Sequence, residues 1–329
     1  MKLQLSLGIA SNPRSWPILD GTVKPDGIEL VPTILHPSEM FWRQLKFADF
    51  DVSEMSMSSL MMARAGGDER WVGLPVFTTR KFFHTDILVR RDAKIDKPAD
   101  LKGRRVGVPE YQQTAALWIR GILQHEFGVA PTEMEFWMER VPSHSHAGAL
   151  AFKPPPGVTI NQIPPEKSIG SMMLARELDS VIHYLRKQNL VDRSTADLEN
   201  HPDIKFLFDP MTEGIRYYRK TGIFPINHGM VVRREIAEKH PWVILNLLKA
   251  FEAANDIANA QRMEHVEYHL AVGAIAPESA EALREPVVRH GIKAKRKTLE
   301  TAAVYSLEQG LTPRLMKLDE LFAKSTMDQ

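Results

Sequence analysis

The sequence predicts an α/β protein of two lobes with a ligand cleft between them and helices closing the C-terminal end. Three observations predict it. Short β-branched strand patterns alternate with helical periodicities, polar or proline-marked links interrupt that alternation, and helical periodicity dominates from Arg234 onward. At 329 residues, with 43% hydrophobic and 25% charged residues, the chain has an ordinary globular composition and room for two lobes. Forty-two basic residues against 41 acidic leave a formal charge of +1, so no global field draws in nucleic acid or an anionic membrane, and neither is an expected partner. Any anion must be held locally. The absence of cysteine removes disulfides, thiolate nucleophiles and cysteine metal sites together.

The first strand is read from M-K-L-Q-L-S-L-G-I-A, which alternates apolar and polar from Leu3 to Leu7. It lacks the uninterrupted apolar run of about 7 to 15 residues that a signal peptide needs, and no apolar run of about 18 residues occurs elsewhere. A cytoplasmic location is therefore expected. The loop Asn12 to Gly21 carries Arg14 at the exit of this strand, where open α/β folds bind ligands. Ile28 to Ile34 reads as a second strand and Pro37 to Phe47 as a helix. From Phe50, F-D-V-S-E-M-S-M-S-S-L alternates and passes into a Met-rich helix, with Ser56, Ser58 and Ser59 at the junction. Their hydroxyls either cap the helix or bind a ligand, and capping accounts for only one of them.

Trp71 to Val89 gives a strand, the connection T-T-R-K-F-F-H and another strand, so Arg80 and His84 can face one cleft. The polar link Asp92 to Arg105 has the composition of a crossover between lobes. Then comes V-G-V-P-E-Y-Q-Q-T-A-A-L-W-I-R-G, Val106 to Gly121. A short strand turns at Pro109 and enters a helix near Gln113 or Thr114, aiming free N–H groups and the positive end of a helix dipole beyond the strand. This is an anion seat, built around Gln112 to Ala115. Met134 to Met138 is a further strand, and the Pro-rich Pro142 to Pro165 suits a hairpin or edge extension. His144 and His146, in S-H-S-H, have metal-ligand spacing but no nearby acidic or histidine partners, so no metal is assigned.

Ser168 caps the next helix, Asp179 to Ile182 and Ile204 to Phe208 read as strands, and Glu213 to Arg233 returns the chain to the first lobe, setting His228 at the cleft. Helices follow at Pro241 to about Arg262, Glu278 to His290 and Lys297 to Gln309. The expected lobes are 1–88 joined with 226–329, the latter including the C-terminal helices, and 89–225.

These motifs together resemble the 4,5-dihydroxyphthalate decarboxylase family, whose fold is that of the type II periplasmic binding proteins. The resemblance covers nearly the whole chain. It is carried by P-I-L-D-G-T-V from Pro17, F-D-V-S-E-M-S from Phe50, P-V-F-T-T-R-K-F-F-H from Pro75 and D-L-K-G-R-R-V-G-V-P-E-Y-Q-Q-T-A-A-L-W-I-R-G-I-L from Asp100. T-G-I-F-P-I-N-H from Thr221, K-R-K-T-L-E from Lys295 and E-Q-G-L-T-P-R from Glu308 complete it. Trp16 in the first loop, the segment Ile182 to Arg193 and S-H-S-H depart from the family pattern and bear on the choice of substrate.

The resemblance implies cofactor-independent decarboxylation of a hydroxylated aromatic acid, 4,5-dihydroxyphthalate giving protocatechuate and CO₂. A base acting on the phenol para to the leaving carboxylate, and an acid protonating the ipso carbon, would suffice. His84 and His228 are the expected acid and base. Arg14, Arg80 and the helix start at Gln112, Gln113 and Thr114 would hold the retained carboxylate. Tyr111, Ser56 and Ser58 would complete the lining, with Trp118 in the core. The expected partner is a small aromatic carboxylate, no cofactor is expected, and self-association is left open. The alternative is a non-catalytic binding protein or sensor for the same class of ligand. A pyrimidine-forming relative of this fold is a third reading, weakened by the lack of a cysteine cluster.

Overall fold

The structure, a computed structural model, describes residues 2–277, 280 and 289–329. The strands form two sheets. The first contains β1 (Leu3–Ile9), β2 (Ile28–Ile34), β3 (Val52–Ser56), β4 (Trp71–Arg80) and β11 (Ile226–Arg233), in the order β2-β1-β3-β11-β4. The second contains β5 (Leu88–Arg90), β6 (Arg105–Val108), β7 (Glu135–Met138), β8 (Thr159–Gln162), β9 (Ser180–Val181) and β10 (Ile204–Phe206), in the order β10-β5-β9-β6-β7-β8.

Strand membership puts the first crossing between Arg80 and Leu88, with Leu88 already on the second sheet, and the return between Phe206 and Ile226. The polar link Asp92 to Arg105 joins β5 to β6 within one sheet, so it is not the crossover its composition suggested. Its charges are solvated because it runs over the surface of one lobe. β11 enters antiparallel between β3 and β4, which are thereby held as one sheet by the returning chain. The Pro-rich stretch supplies β8, an edge strand parallel to β7 and not a hairpin partner.

The Pro37–Phe47 helix matches its expected range, whereas the long C-terminal helix runs from Trp242 to Ala271, well past Arg262, with Pro241 as its N-cap residue. Its first half buries Val243, Leu247, Leu248, Phe251 and Ala254 against the first sheet. The expected helix Glu278 to His290 lies largely outside the described residues. Among the described residues no helix is long and apolar enough to cross a membrane.

The Thr114–Phe127 helix is the hub between the lobes. Every residue from Thr114 to Leu123 is buried, because one side faces the second sheet and the other meets the Arg296–Glu308 helix and β11. The Trp118 indole N–H donates to the Ile226 carbonyl at 2.9 Å, tying this helix to the returning strand. Truncating so buried an indole to alanine costs about 3–5 kcal/mol in comparable cores. Gly121 closes the E-Y-Q-Q-T-A-A-L-W-I-R-G motif for a packing reason: a Cβ there would stand 2.1 Å from the Tyr305 ring. The glycine lets the C-terminal helix dock.

Candidate active site

A cavity of about 330 Å³ lies between the two lobes. Its floor follows from strand register. His228 on β11 pairs with Ser56 on β3 and with Thr79 on β4, and residues at one register of a sheet share a face. All three line the cavity. From the second lobe the start of the Thr114–Phe127 helix arrives with Gln113, Thr114 and Ala115 on the wall. The Gln113 side chain makes no capping bond, and the first intrahelical bond is donated by Leu117 to the Gln113 carbonyl at 2.8 Å. The N–H groups of the first turn therefore remain for an anion.

The two lobes are joined beside this helix start by hydroxyls. Ser56 Oγ lies 2.7 Å from Thr114 Oγ1, which also accepts from the Ser58 N–H at 2.9 Å, while the Ser58 hydroxyl donates to the Gln112 carbonyl at 2.5 Å. Thus Ser56 and Thr114 face the cavity, and Ser58 fastens the lobes behind it.

Four histidines, His36, His146, His183 and His228, line the cavity. The His228 ring packs edge-on to Phe41 with centroids 4.7 Å apart, and the Asn227 amide donates to its Nε2 at 3.0 Å. His228 Nδ1 faces Glu54 Oε2 at 3.4 Å. His146 Nε2 donates to the Ser38 carbonyl at 3.0 Å, and burial lowers its pKa. Burial likewise lowers that of His36. His183 adopts the left-handed conformation, φ 55°, rare for a residue with a Cβ. Burial pushes its pKa down to about 3, with the positive charges of Arg140 and Lys81 acting in the same direction. Lys81, whose Nζ is 2.7 Å from Asp86 Oδ2, also lines the cavity, as do Glu199 and Tyr184, and burial raises the Asp86 carboxyl.

Several expected site residues lie elsewhere. His84 is fully buried behind the wall, its Nε2 donating to Glu213 Oε1 at 3.0 Å among Phe82, Phe208 and Tyr217. Arg80 ends β4 one residue after Thr79, where the register with β11 is irregular, and it is absent from the cavity lining. Its guanidinium donates to the Phe224 carbonyl at 2.5 Å and stacks on the Phe224 ring. Arg14 donates to the Thr78 carbonyl at 2.6 Å, outside the lining. Tyr111 is buried between Phe136 and Phe152 with the Arg120 guanidinium 3.6 Å above its ring. Gln112 is buried and donates to Glu110.

Glu110 in turn accepts from Arg140 and from the His146 and Ala147 N–H groups, which holds the S-H-S-H segment to the turn after β6 in the second lobe, while the His146 contact to the Ser38 carbonyl reaches the first. Arg140 reaches Asp192 and the Ser38 hydroxyl as well. His144 turns away to lie against Trp42, so the two histidines of S-H-S-H do not converge, and among the described residues no group of acidic residues and histidines could hold a metal ion.

The comparisons agree with this architecture. No protein-family model matches the chain. A 4,5-dihydroxyphthalate decarboxylase of Comamonas testosteroni is 37% identical over 258 residues, 78% of this chain and 76% of the relative. The chain belongs to the 4,5-dihydroxyphthalate decarboxylase family. A second member, from Pseudomonas putida, is 32% identical over 219 residues, 66% of this chain and 82% of that protein.

Among solved structures, the alkanesulfonate-binding protein SsuA from Xanthomonas axonopodis pv. citri, bound to MOPS, superposes with a TM-score of 0.58 at 14% identity, covering 97% of this chain and 98% of that one. The periplasmic aliphatic sulphonate binding protein SsuA from Escherichia coli gives 0.57 at 16% identity over the whole of both chains. The desulfurization enzyme DSZB gives 0.53 at 13%, covering 98% and 97%. At such identities these neighbours establish the fold, that of the type II periplasmic binding proteins, and no more.

Within the family frame, the members of the site missing from the sequence reading have recognisable marks. Glu54 is a lone acid within an otherwise apolar and small-residue strand, the mark of a buried charge. His183 falls in the segment that departs from the family pattern. His36 sits directly before Pro37, at the N-cap of its helix.

Proposed function

We propose that this chain removes one carboxylate from 4,5-dihydroxyphthalate, giving protocatechuate and CO₂, by acid/base chemistry in the cavity between its lobes. One observation carries the reading: an anion-seating helix start from one lobe and the His228 imidazole from the other meet in a single cavity of about 330 Å³. That volume is at the small end for ligand sites and suits one substituted ring. Membership of the family supports the substrate.

The retained carboxylate sits at the Thr114 and Ala115 N–H groups beside the Ser56 hydroxyl. A helix terminus in a partly buried setting contributes up to about 2 kcal/mol to such an anion. This is anchoring and does not by itself accelerate anything. Because the helix start holds the retained carboxylate and not the leaving one, this binding energy does not stabilise the ground state of the group that departs.

His228 Nε2 takes the proton of the ring hydroxyl para to the leaving carboxylate. The resulting electron release makes the ipso carbon basic. A proton reaches that carbon from the Lys81–Asp86 pair, the other ionisable couple on the wall, and the ring is briefly non-aromatic. The C–C bond then breaks, its electron pair restores the ring, and CO₂ departs. The hydroxyl recovers its proton from His228. One proton is consumed overall, and solvent returns it to the Lys81–Asp86 pair. Acid/base groups so placed are worth about 10²- to 10⁴-fold each.

The test is to incubate the purified chain with 4,5-dihydroxyphthalate and follow CO₂ and protocatechuate together, alongside the His228→Gln variant. Stoichiometric release that His228→Gln abolishes is the expected result. A ligand-induced rise in melting temperature without release would make the cavity a binding site only and overturn the reading.

A further inference from the structure

Behind His228 the structure places a carboxylate that neither lines the cavity nor belongs to an ion pair with a surface cation. Glu54 is fully buried on β3, two residues before Ser56 and so on the same face of the sheet. Its Oε1 accepts from the Ala10 N–H at 2.7 Å, and its Oε2 accepts from the Thr78 hydroxyl at 2.5 Å while facing His228 Nδ1 at 3.4 Å. The Arg14 guanidinium, fixed on the Thr78 carbonyl, adds an attractive charge nearby. Taking a carboxylate out of water costs several kcal/mol unless donors surround it. Here two donors, the Ala10 N–H and the Thr78 hydroxyl, come from separate segments and bind different oxygens, so Glu54 is held in one position.

His228 Nδ1 is buried, and among the described residues it has no other partner. On the other side of the ring, Nε2 meets the Asn227 amide N–H, which only donates. Both contacts select one tautomer, with the proton on Nδ1 and the lone pair on Nε2.

We propose that Glu54 is a positioning residue for the reaction: it fixes His228 as the Nδ1–H tautomer, leaves the lone pair on Nε2, where the substrate hydroxyl takes the place of the Asn227 amide N–H, and stabilises the imidazolium that forms when Nε2 is protonated. This rests on the reading of His228 as the acid/base group. The 3.4 Å separation is long for a hydrogen bond and shortens once the ring is charged, as catalytic contacts commonly do on binding. Arg14, expected from the sequence to grip substrate, acts one step back by keeping Glu54 in place.

Glu54→Gln preserves shape and the Ala10 contact but replaces an acceptor with an amide N–H facing Nδ1. His228 should respond by moving its proton to Nε2, which removes the base. The expected result is a fall in kcat of about 10²-fold or more with KM changed less than about threefold, and Glu54→Asp should recover a substantial part of it. The tautomer is read without substrate, by long-range ¹H–¹⁵N correlation of the imidazole rings, with the His228 signals assigned by their loss in His228→Gln. In the wild-type chain the proton should be on Nδ1, and in Glu54→Gln on Nε2.

A wild-type His228 already protonated on Nε2 would overturn the proposal whatever the variants do, and so would a Glu54→Gln enzyme with unchanged kcat. Absence of turnover in the wild-type chain would instead count against the proposed substrate, because the tautomer measurement does not depend on it.

Discussion

Two histidines in this chain each sit against a buried glutamate, yet only one of them reaches the cavity. His84 and Glu213 make the shorter contact, 3.0 Å, while His228 and Glu54 are 3.4 Å apart. Proximity to a carboxylate therefore does not distinguish them. The surroundings do. Glu213 is also gripped by Arg216 at 2.6 and 2.8 Å, so its charge is already balanced and the pair closes a structural corner among Phe82, Phe208 and Tyr217. Burial alone would raise the Glu213 carboxyl, but the hydrogen bonds from Arg216 and His84 outweigh it and bring it down to about 2. His228 has its carboxylate on one side and, on the other, only the neutral Asn227 amide at the cavity wall, and a ring arranged in that way is able to exchange a proton with a ligand that displaces the amide.

The comparison breaks most visibly at His228. His228→Gln should lower kcat by about 10²- to 10⁴-fold while leaving the melting temperature close to that of the wild type. If turnover persisted at the wild-type rate, the acid/base role would pass to another wall histidine. His84→Leu should show the reverse pattern: a loss of about 1.5–3 kcal/mol in denaturant unfolding, for a hydrogen bond to a charged group, with kcat within about threefold. A large kcat loss in a folded His84→Leu protein would return His84 to the chemistry.

A smaller effect is expected of Lys81→Met, which removes a cation and a proton source from the wall but leaves His228 in place. It should cut kcat/KM by about tenfold or more, read from initial rates. The pH dependence sharpens the structural corner. Because the folded carboxyl of Glu213 lies near 2, below its ordinary 4.5, its contribution to stability is fully present above 4.5 and is lost as pH falls toward 2. Glu213→Gln should flatten the acid limb of the melting-temperature profile in that window without altering kcat at neutral pH. An unchanged acid limb would mean that other carboxylates govern it.

Much of the architecture was legible in one dimension. β1, β2, the Pro37–Phe47 helix and the entry into the Thr114–Phe127 helix follow from local periodicity and capping chemistry, which act over a few residues. Helix extent was harder: Trp242–Ala271 runs on past Arg262 because little in its sequence marks an end there. Composition misplaced the first crossing, since a polar surface link within a lobe and one between lobes are equally solvated. Of the expected site residues, Gln113, Thr114, Ser56 and His228 face the cavity, whereas Arg14, Ser58, Arg80, His84, Tyr111 and Gln112 do not. For Arg80 the deciding matter is the irregular register between β4 and β11 at Thr79 and Arg80, beyond which its guanidinium is taken up by the Phe224 carbonyl and ring.

By itself, then, the sequence determined the strands, the helices, the anion-seating turn after β6 and the family to which they belong, because each rests on short-range pattern or on matched motifs. Only the tertiary structure decided which histidines reach the cavity. His36, His146, His183 and His228 are brought to one cavity, and Glu54 is set behind His228, by a returning strand that inserts between β3 and β4. That register depends on packing between segments more than 140 residues apart in the chain, from Thr79 to His228, and no local pattern encodes it.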